Sequence, residues 1–382
     1  MSGAGPLRVG LVGCGSISEA YLRLAPCFRD FEIVAVTDID ATKAASTAQA
    51  FDVTALTPAD LMAAPDIDVV LNLTIPAAHA EVTRQALTAG KHVYSEKPLV
   101  LSLSEGLALD GLAREGGLRI GAAPDTFLGG AHQWARAQID AGSIGAVVAG
   151  SAAVMSHGME HWHPNPAFFY QAGAGPVLDM GPYYLTNLVQ LLGPIARVAA
   201  LATTPQSHRL VTAEGPMRGT RIAVETPTTV HALLAFASGA TVNFVASWDV
   251  HAHRQGPMAL YGGAGTLYVP DPNAFGGDVA FEAAPDAPAT LPDLWEGQPH
   301  PLARPNQGAV ANYRGVGLAD MAHTMRAGVA HRCSFGLALH VVEAMTAILE
   351  AGQSGQWQHL STTCDRPAPL EPGEAAALLH AA

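Results

Sequence analysis

Residues 7–18, LRVGLVGCGSIS, join a short apolar run to a glycine-rich turn and to the start of a helical segment. The turn at residues 13–18 follows the pattern G-x-G-x-x-S. Glycines at these positions allow a tight turn and let the backbone approach a pyrophosphate, whose charge is met by the N–H groups that begin the helix. The stretch therefore predicts the first strand, turn and helix of a dinucleotide-binding domain. The cofactor-binding residues expected within it are Gly13, Gly15, Ser16 and Ile17.

The remainder of the first 125 residues alternates short apolar runs with helical segments. The further runs are EIVAVTDI at 32–39, DVVLNLTI at 68–75, HVYSEKP at 92–98 and LRIGAA at 118–123. Residues 80–91 show helical spacing, with Gly90 where a left-handed C-cap is expected. Strands that alternate with helices are typical of a parallel sheet. We therefore predict an α/β Rossmann domain, a doubly wound parallel sheet, over residues 1–125.

The pattern changes after Asp125. One more helical segment, at 132–145, is followed by long alternating runs. These runs lie at 145–155, 228–237, 240–250 and 265–269. Consecutive strands without intervening helices favour a largely antiparallel sheet. A surface excursion is expected at 271–307 and a late helix at 335–350. Residues 126–382 are thus predicted to form an α+β domain with a large open, mainly antiparallel sheet, for substrate binding and oligomerisation.

Length and composition exclude several classes of protein. The 382 residues, of which 49% are hydrophobic and 14% charged, suit a globular chain of two domains rather than a disordered one. The formal charge of -13 opposes binding to nucleic acid or to an anionic membrane. The four cysteines have neither the spacing of a zinc site nor the density of a disulfide scaffold, which favours a reducing compartment. Residues 1–8 lack a signal-peptide core and no uninterrupted apolar run approaches the ~18 residues that span a bilayer, so we expect a cytoplasmic protein.

An acidic residue ends the second apolar run. Asp38 lies 25 positions after Gly13, close to the spacing expected for the carboxylate that binds the adenosine ribose. Because a carboxylate accepts hydrogen bonds from two hydroxyls but repels a 2′-phosphate, Asp38 favours NAD over NADP. The alternative is an ordinary glycine turn followed by a solvated Asp.

The fourth run ends in Glu96-Lys97-Pro98, at the edge of the sheet where doubly wound folds bind ligands. A lysine there could bridge cofactor and substrate. The alternative is a surface lysine paired with Glu96.

Two longer motifs, together with the glycine turn and Asp38, resemble the glucose-fructose oxidoreductase / inositol dehydrogenase / rhizopine-catabolism (Gfo/Idh/MocA) family. They are AGKHVYSEKP at 89–98 and GAGPVLDMGPY at 173–183. The resemblance implies a Rossmann domain followed by an α+β domain. It also implies NAD(P)-dependent oxidation or reduction of sugars, polyols or related compounds.

The resemblance assigns roles to individual residues. It places Lys97 beside the nicotinamide, with Asp179 and Tyr183 facing it from the second domain, and these three are the predicted catalytic residues. Many relatives have His where this chain has Tyr183. Further cofactor contacts are predicted from Thr74, Ile75, Pro76, His79, Glu96 and Lys97.

A helix is predicted around Tyr183, with Pro182 in its first turn and Gly193-Pro194 as its stop. Polar residues Asp179, Tyr183 and Asn187 recur every four positions, opposite an apolar stripe. This polar stripe could line a substrate pocket, and the alternative is that it faces solvent.

Histidines at 157, 161 and 163 surround Glu160, a composition that could hold zinc. Hydride transfer to NAD needs no metal, so no metal is predicted. A loop over the substrate is the preferred interpretation, with Trp162 covering the C–H face of a sugar and His163 donating to hydroxyls. The alternative is a structural loop with a half-buried tryptophan.

The sequence therefore predicts an NAD-dependent oxidoreductase that transfers a hydride between a sugar, inositol or related polyol and the nicotinamide. Lys97, Asp179, Tyr183 and Asn187, with Trp162 and His163, form the expected substrate site. Few cations lie in these segments, so a neutral monosaccharide, inositol or close derivative is expected. Two alternatives are an NAD-dependent glycoside-cleaving enzyme with transient oxidation and a non-catalytic dinucleotide or sugar sensor. A homodimer or homotetramer is expected, because a large sheet face is costly to expose.

Overall fold

The computed structural model describes residues 5–380, so part of the segment on which the signal-peptide expectation rests lies outside the described residues. The described chain folds into two compact units. The first unit contains the residues up to Gln133, Trp295–Val342 and the residues from Pro367 onward, and the second contains Trp134–Leu294 and Glu343–Arg366. The division into domains at residue 125 stays a prediction, and the chain returns to the first unit twice after it.

Sixteen strands are present in the described residues. They are β1 Leu7–Val12, β2 Phe31–Thr37, β3 Thr54–Ala55, β4 Val69–Asn72, β5 His92–Ser95, β6 Ile120–Ala122, β7 Val147–Met155, β8 Ile195–Thr203, β9 His208–Leu210, β10 Arg221–Ala223, β11 Thr229–Phe236, β12 Thr241–Ser247, β13 Met258–Gly262, β14 Gly265–Val269, β15 Ala280–Ala283 and β16 Gln358–His359.

Ten α-helices accompany them in the same part of the chain. They are α1 Ser16–Leu24, α2 Ala41–Phe51, α3 Pro58–Ala63, α4 Pro76–Thr88, α5 Leu103–Gly116, α6 Gly130–Asp140, α7 Pro176–Leu192, α8 Val316–Ala327, α9 Phe335–Ser354 and α10 Pro372–Leu378.

The first unit is built on a six-stranded parallel sheet in the order β3-β2-β1-β4-β5-β6. Strand β4 is buried along its whole length, as expected of a strand covered by helices on both faces. The predicted doubly wound fold is confirmed, and Gly90 after α4 has the expected positive φ of 74°. The sequence did not indicate β3, because its two residues are both exposed and form no apolar run.

The second unit is built on an eight-stranded sheet in the order β15-β14-β13-β7-β12-β11-β8-β16. Only β7 and β12 are parallel neighbours within it, so the sheet is mixed and mainly antiparallel, as predicted. Strand β11 shows the expected alternation, with Val230, Ala232 and Leu234 buried and Leu233 exposed.

Several strands of this sheet were not indicated by the sequence. Strand β8 is rich in alanine and carries Arg197, so it lacks the contrast of an alternating strand. Strand β15 lies inside the segment 271–307 that was expected to be a surface excursion, where no strand was predicted. The strand has no fully buried residue and pairs only with β14, which explains its weak pattern.

Helix α7 begins earlier than predicted. Pro176 occupies its first turn, after Gly175, so the placement of Pro182 in the first turn is wrong and Pro182 lies inside the helix. Its missing N–H cannot donate to the carbonyl of Leu178. The predicted stop is confirmed, because Gly193 caps the helix with a φ of 92°.

Helix α9 continues to Ser354, four residues beyond its predicted end. By length and composition alone it is apolar enough to cross a membrane, although His340 and Glu343 interrupt the apolar sequence. In the most apolar stretch of 18 residues within α9, 56% of the stretch is buried inside the protein, as in the core helix of a globular fold.

Candidate active site

The loops that follow β1, β4 and β5 lie at one edge of the six-stranded sheet, because these strands are parallel neighbours. Doubly wound folds bind ligands at this edge, where the strand order reverses. Here the order reverses between β1 and β4. The fold thereby brings the glycine turn, the loop after Asn72 and the pair Glu96-Lys97 to the same edge.

Gly13 turns the chain at the end of β1. Its φ of 101° is in the left-handed region, and its N–H donates to the carbonyl of Thr37 at 2.8 Å. A Cβ on Gly13 would lie 2.7 Å from the carbonyl oxygen of Leu73, so both the dihedral and the close approach require glycine. Gly15 is the N-cap of α1, and a Cβ there would meet nothing within 4 Å. The helix start is therefore unobstructed at Gly15, as a pyrophosphate site requires.

Asp38 lies directly beside this turn. One carboxylate oxygen accepts a hydrogen bond from the N–H of Cys14 at 2.8 Å, and the other accepts from the N–H of Asp40 at 2.9 Å. The predicted residues Ser16 and Ile17 form the first turn of α1. The carboxylate suits the ribose hydroxyls of a dinucleotide, and the N–H groups at the start of α1 suit its pyrophosphate.

His79 connects the loop after β4 to the loop after β5. Its ring is fully buried, with Nδ1 2.6 Å from the carbonyl oxygen of Pro98 and Nε2 2.9 Å from that of Thr74. Ile75, which follows Thr74 in the loop after β4, is largely exposed, and Pro76 begins α4. His79 thus holds the two loops together from inside the protein. Cofactor contacts from these four residues stay predictions.

Glu96 and Lys97 follow β5. Glu96 is buried, and Oε1 accepts from the hydroxyl of Tyr21 at 3.0 Å and from Nη1 of Arg314 at 3.3 Å. Oε2 accepts from the backbone N–H of Lys97 at 2.9 Å. Burial acts to raise the pKa of Glu96, but the charges of Arg314 and Lys97 outweigh it and hold the pKa below its usual value. A cofactor contact from Glu96 stays a prediction, and its carboxylate already has these protein partners.

Asp125, two positions after the fifth apolar run, binds backbone groups at the start of α8. Asp125 is fully buried, and Oδ2 accepts from the N–H groups of Gly315 at 2.8 Å and Gly317 at 3.1 Å. Burial raises the pKa of this carboxyl group. Asp125 therefore fixes the start of α8, and with it Arg314. No sequence pattern indicated Arg314, because it lies 218 positions from its partner Glu96.

In the second unit, α7 carries the polar stripe. Tyr183 and Asn187 are buried and Asp179 is half-buried, so the alternative in which the stripe faces solvent is wrong for the first two. Asn187 Oδ1 accepts from Nε2 of Gln190 at 2.9 Å. The catalytic and substrate roles predicted for the stripe stay predictions.

An aromatic cluster lies on the predicted substrate loop of this unit. It consists of Trp162, His163, Phe168 and Phe169, with the His163 ring 5.3 to 5.5 Å from the other three. Trp162 is 57% exposed rather than half-buried. The carbonyl of Phe169 accepts from the N–H of Gly175 at 3.1 Å, which ties the cluster to the start of α7.

A buried ion network supports the same loop. It consists of Glu160, Arg209 and Asp249, with Arg209 Nη1 3.1 Å from Glu160 Oε1 and Nη2 bonded to Asp249. The hydroxyl of Tyr170 donates to Glu160, and that of Thr228 donates to Asp249 at 2.7 Å. The network joins the loop to β9 and to the end of β12.

Three histidines stack near the loop. The ring of His157 lies 3.7 Å from that of His161 and 4.8 Å from that of His251. The sequence did not indicate His251, which comes close because β7 and β12 are parallel neighbours whose carboxyl ends meet. Over residues 5–380, no group of three or more His, Cys, Asp or Glu side chains is arranged to hold a metal ion.

Comparison with protein families gives two matches. Residues 7–123 match the GFO_IDH_MocA family, described as an oxidoreductase family with an NAD-binding Rossmann fold. Residues 132–268 match the GFO/IDH/MocA C-terminal domain.

Individual relatives agree with these matches. The chain is 30% identical over 271 residues to a dTDP-3,4-didehydro-2,6-dideoxy-alpha-D-glucose 3-reductase from Saccharopolyspora spinosa, covering 69% of this chain and 74% of the relative. It is 39% identical over 105 residues to inositol 2-dehydrogenase 3 from Saccharopolyspora erythraea, covering 27% of this chain and 31% of the relative. Levoglucosan dehydrogenase in complex with NADH and L-sorbose shares the fold, with a TM-score of 0.78 and 22% identity over 93% of this chain and 99% of that one.

The resemblance inferred from the motifs is confirmed over both units by the two family matches and by the reductase relative. This chain belongs to the Gfo/Idh/MocA family of oxidoreductases, with an NAD-binding Rossmann domain.

Proposed function

We propose that this protein transfers a hydride between a hydroxyl-bearing carbon of a sugar, inositol or related polyol and NAD. One observation carries the proposal: the edge of the parallel sheet gathers the glycine turn, Asp38 and Lys97. Dinucleotide-binding groups and a candidate proton carrier thus share one edge of one unit. The relatives named as an inositol dehydrogenase and a sugar reductase support the substrate class.

The cofactor would be held by Gly13, Gly15 and Asp38. The unobstructed start of α1 suits the pyrophosphate, and the Asp38 carboxylate suits two ribose hydroxyls. Bound NAD supplies the hydride acceptor in oxidation, and NADH the donor in reduction. Asp38 would disfavour NADP, because its charge repels a 2′-phosphate.

The proton of the substrate hydroxyl would be exchanged with Nζ of Lys97. Lys97 is partly exposed at the end of β5, and its backbone is fixed by the buried carboxylate of Glu96. By family resemblance, Tyr183 would share this proton exchange and Asp179 would orient the reacting groups. Both residues lie on α7, Asp179 in its first turn and Tyr183 one turn later, which supports a shared role on one helix face.

The substrate would be a neutral ring with several hydroxyl groups. The aromatic cluster offers an exposed flat face in Trp162, and His163 lies against it as a polar group. The Saccharopolyspora spinosa relative is named for a nucleotide-linked sugar, so sugars of that kind belong among the compounds tested.

We further propose that a second copy of the chain covers the outer face of the eight-stranded sheet. Large apolar or aromatic side chains lie exposed on this face, and they are Leu201, Leu233, Tyr261 and Tyr268. An apolar face of this kind favours self-association. Sedimentation equilibrium should give a dimer or tetramer, and a monomer at micromolar concentration would overturn this proposal. The four unpaired cysteine thiols support a cytoplasmic location.

A substrate screen tests the activity. Neutral sugars, inositols, sugar acids and nucleotide-linked sugars are each incubated with NAD and with NADP, and absorbance at 340 nm is followed beside product analysis. We expect NADH to accumulate with a neutral ring substrate and NAD. Products without net NADH would identify the glycoside-cleaving alternative. Activity only with simple aliphatic alcohols would contradict the proposal.

A further inference from the structure

Arg314 forms a buried ion pair within the first unit. Its side chain is 13% exposed and that of Glu96 is 9% exposed, with Nη1 3.3 Å from Oε1. The backbone N–H of Glu96 donates to the carbonyl of Asn72 at the end of β4 at 2.8 Å, but the paired side chains of Glu96 and Arg314 take no part in the sheet hydrogen bonds. Desolvating two charges is costly unless both are well paired, so the pair needs a reason other than the fold alone.

Glu96 transmits this pairing to Lys97. Its second oxygen accepts from the backbone N–H of Lys97 at 2.9 Å, while its first oxygen is held by Arg314 and by the hydroxyl of Tyr21. Arg314 and Tyr21 therefore fix the orientation of the carboxylate whose other oxygen accepts from Lys97. A rotation of the Glu96 side chain would release the main chain at Lys97.

Arg314 is itself held in a defined position. Its N–H donates to Asn312 Oδ1 at 3.3 Å, and the next residue, Gly315, donates to the buried Asp125 at 2.8 Å. Gly315 has a φ of 100°, a conformation that residues with a side chain rarely adopt. The guanidinium is thus attached to a rigid turn.

We propose that Arg314 is a positioning residue for Lys97: it locks the buried Glu96 carboxylate that fixes the lysine backbone, and it offsets the charge of that carboxylate. The inference rests on the proposed function, in which Lys97 exchanges the substrate proton.

The groups that face Glu96 set its electrostatic environment. These are Tyr21 from α1, Asp125 after β6, Lys97 itself and Arg314. An unpaired carboxylate beside Lys97 would hold it as an ammonium ion. With Arg314 present, its positive charge largely cancels the negative charge of Glu96, so Lys97 can give up its proton more readily.

Lysine titration tests this directly, because the chain has only three lysines, at positions 43, 91 and 97. Protein labelled with 13C at lysine Cε is titrated by NMR without cofactor, and the Lys97 signal is assigned by its loss in Lys97→Met. We expect Arg314→Met to move the Lys97 titration upward by about one pH unit, and Arg314→Lys to restore most of the original value. No shift, or a downward shift, would overturn the inference.

Kinetics supply the second readout. Arg314→Met should lower kcat about tenfold or more while the Kd for NADH changes less than about threefold, with a smaller loss of the same kind in Tyr21→Phe. The control is Arg326→Met, which breaks the ion pair with Asp30 at the other end of α8 and should leave kcat unchanged. Thermal unfolding of each variant confirms folding, and if Arg314→Met does not fold, Arg314→Lys and Tyr21→Phe carry the test.

The outcomes separate this inference from the proposed function. If Lys97→Met loses turnover but Arg314→Met behaves like the parent in both assays, the inference fails and the function stands. If Lys97→Met keeps its turnover, the proton role of Lys97 fails whatever Arg314 does.

Discussion

Removal of Arg209 should destabilise the second unit strongly. Arg209 is 5% exposed and is the cation between the carboxylates of Glu160 and Asp249, which are 11% and 12% exposed. Arg209→Leu keeps apolar bulk but leaves two buried anions without their cation. Breaking a buried ion pair on one side costs about 3–5 kcal/mol, so we expect a loss of that size in the free energy of unfolding.

Urea denaturation measures this loss, with tryptophan fluorescence as one probe. Trp248 packs against Tyr170, whose hydroxyl donates to Glu160, at 5.5 Å between ring centroids, so its signal reports on this region. The control is Arg218→Leu, which removes an ion pair with Glu214 between side chains that are 58% and 86% exposed. That pair should contribute less than about 1 kcal/mol.

A second substitution separates charge from packing. Glu160→Gln added to Arg209→Leu removes one of the stranded charges, and we expect it to recover part of the lost stability. If Arg209→Leu is no more destabilising than Arg218→Leu, the network does not hold this region together. If the added Glu160→Gln deepens the loss, the charge argument is wrong.

Three further predictions follow from the site and the buried histidines. Asp38→Ala should narrow the preference for NAD over NADP, measured as the ratio of the two Kd values, and equal affinities in the parent protein would refute the assignment of Asp38. Trp162→Ala should raise KM several-fold, with a smaller effect on kcat, whereas the exposed Trp357, replaced in the same way, should change neither. Burial lowers the pKa of both His300 and His331 to about 4, below the value of about 6.5 in the unfolded chain, so the unfolded state binds more protons. The free energy of unfolding should therefore be independent of these histidines above pH 6.5 and should fall between pH 6.5 and 4, by about 3 kcal/mol for each histidine. A urea midpoint that stays constant over that range would contradict this.

The sequence predicted the parts of the fold that depend on neighbouring residues. The glycine turn, Asp38 and the left-handed Gly90 after α4 are local patterns, and each lies where expected, whereas α4 begins at Pro76, four residues before the helical spacing seen at 80–91. Strands such as β8 and β15 were missed, because an alanine-rich strand and an exposed edge strand lack the apolar alternation that marks a half-buried strand.

The supporting residues of the candidate site could not be predicted in this way. Arg314 meets Glu96 only because the chain returns to the first unit near residue 295. His251 meets His157 only because β7 and β12 pair in parallel. Contacts between residues so far apart depend on topology, which a local pattern does not contain.

Replacement of Lys97 by methionine shows whether this lysine exchanges the substrate proton. Methionine keeps much of the length and apolar bulk of the side chain but cannot exchange a proton. With the substrate found in the screen, we expect the Kd for NADH, measured by fluorescence titration, to change less than about threefold and kcat to fall about 100-fold or more. An undiminished kcat in Lys97→Met would contradict the assignment of the substrate proton to Lys97.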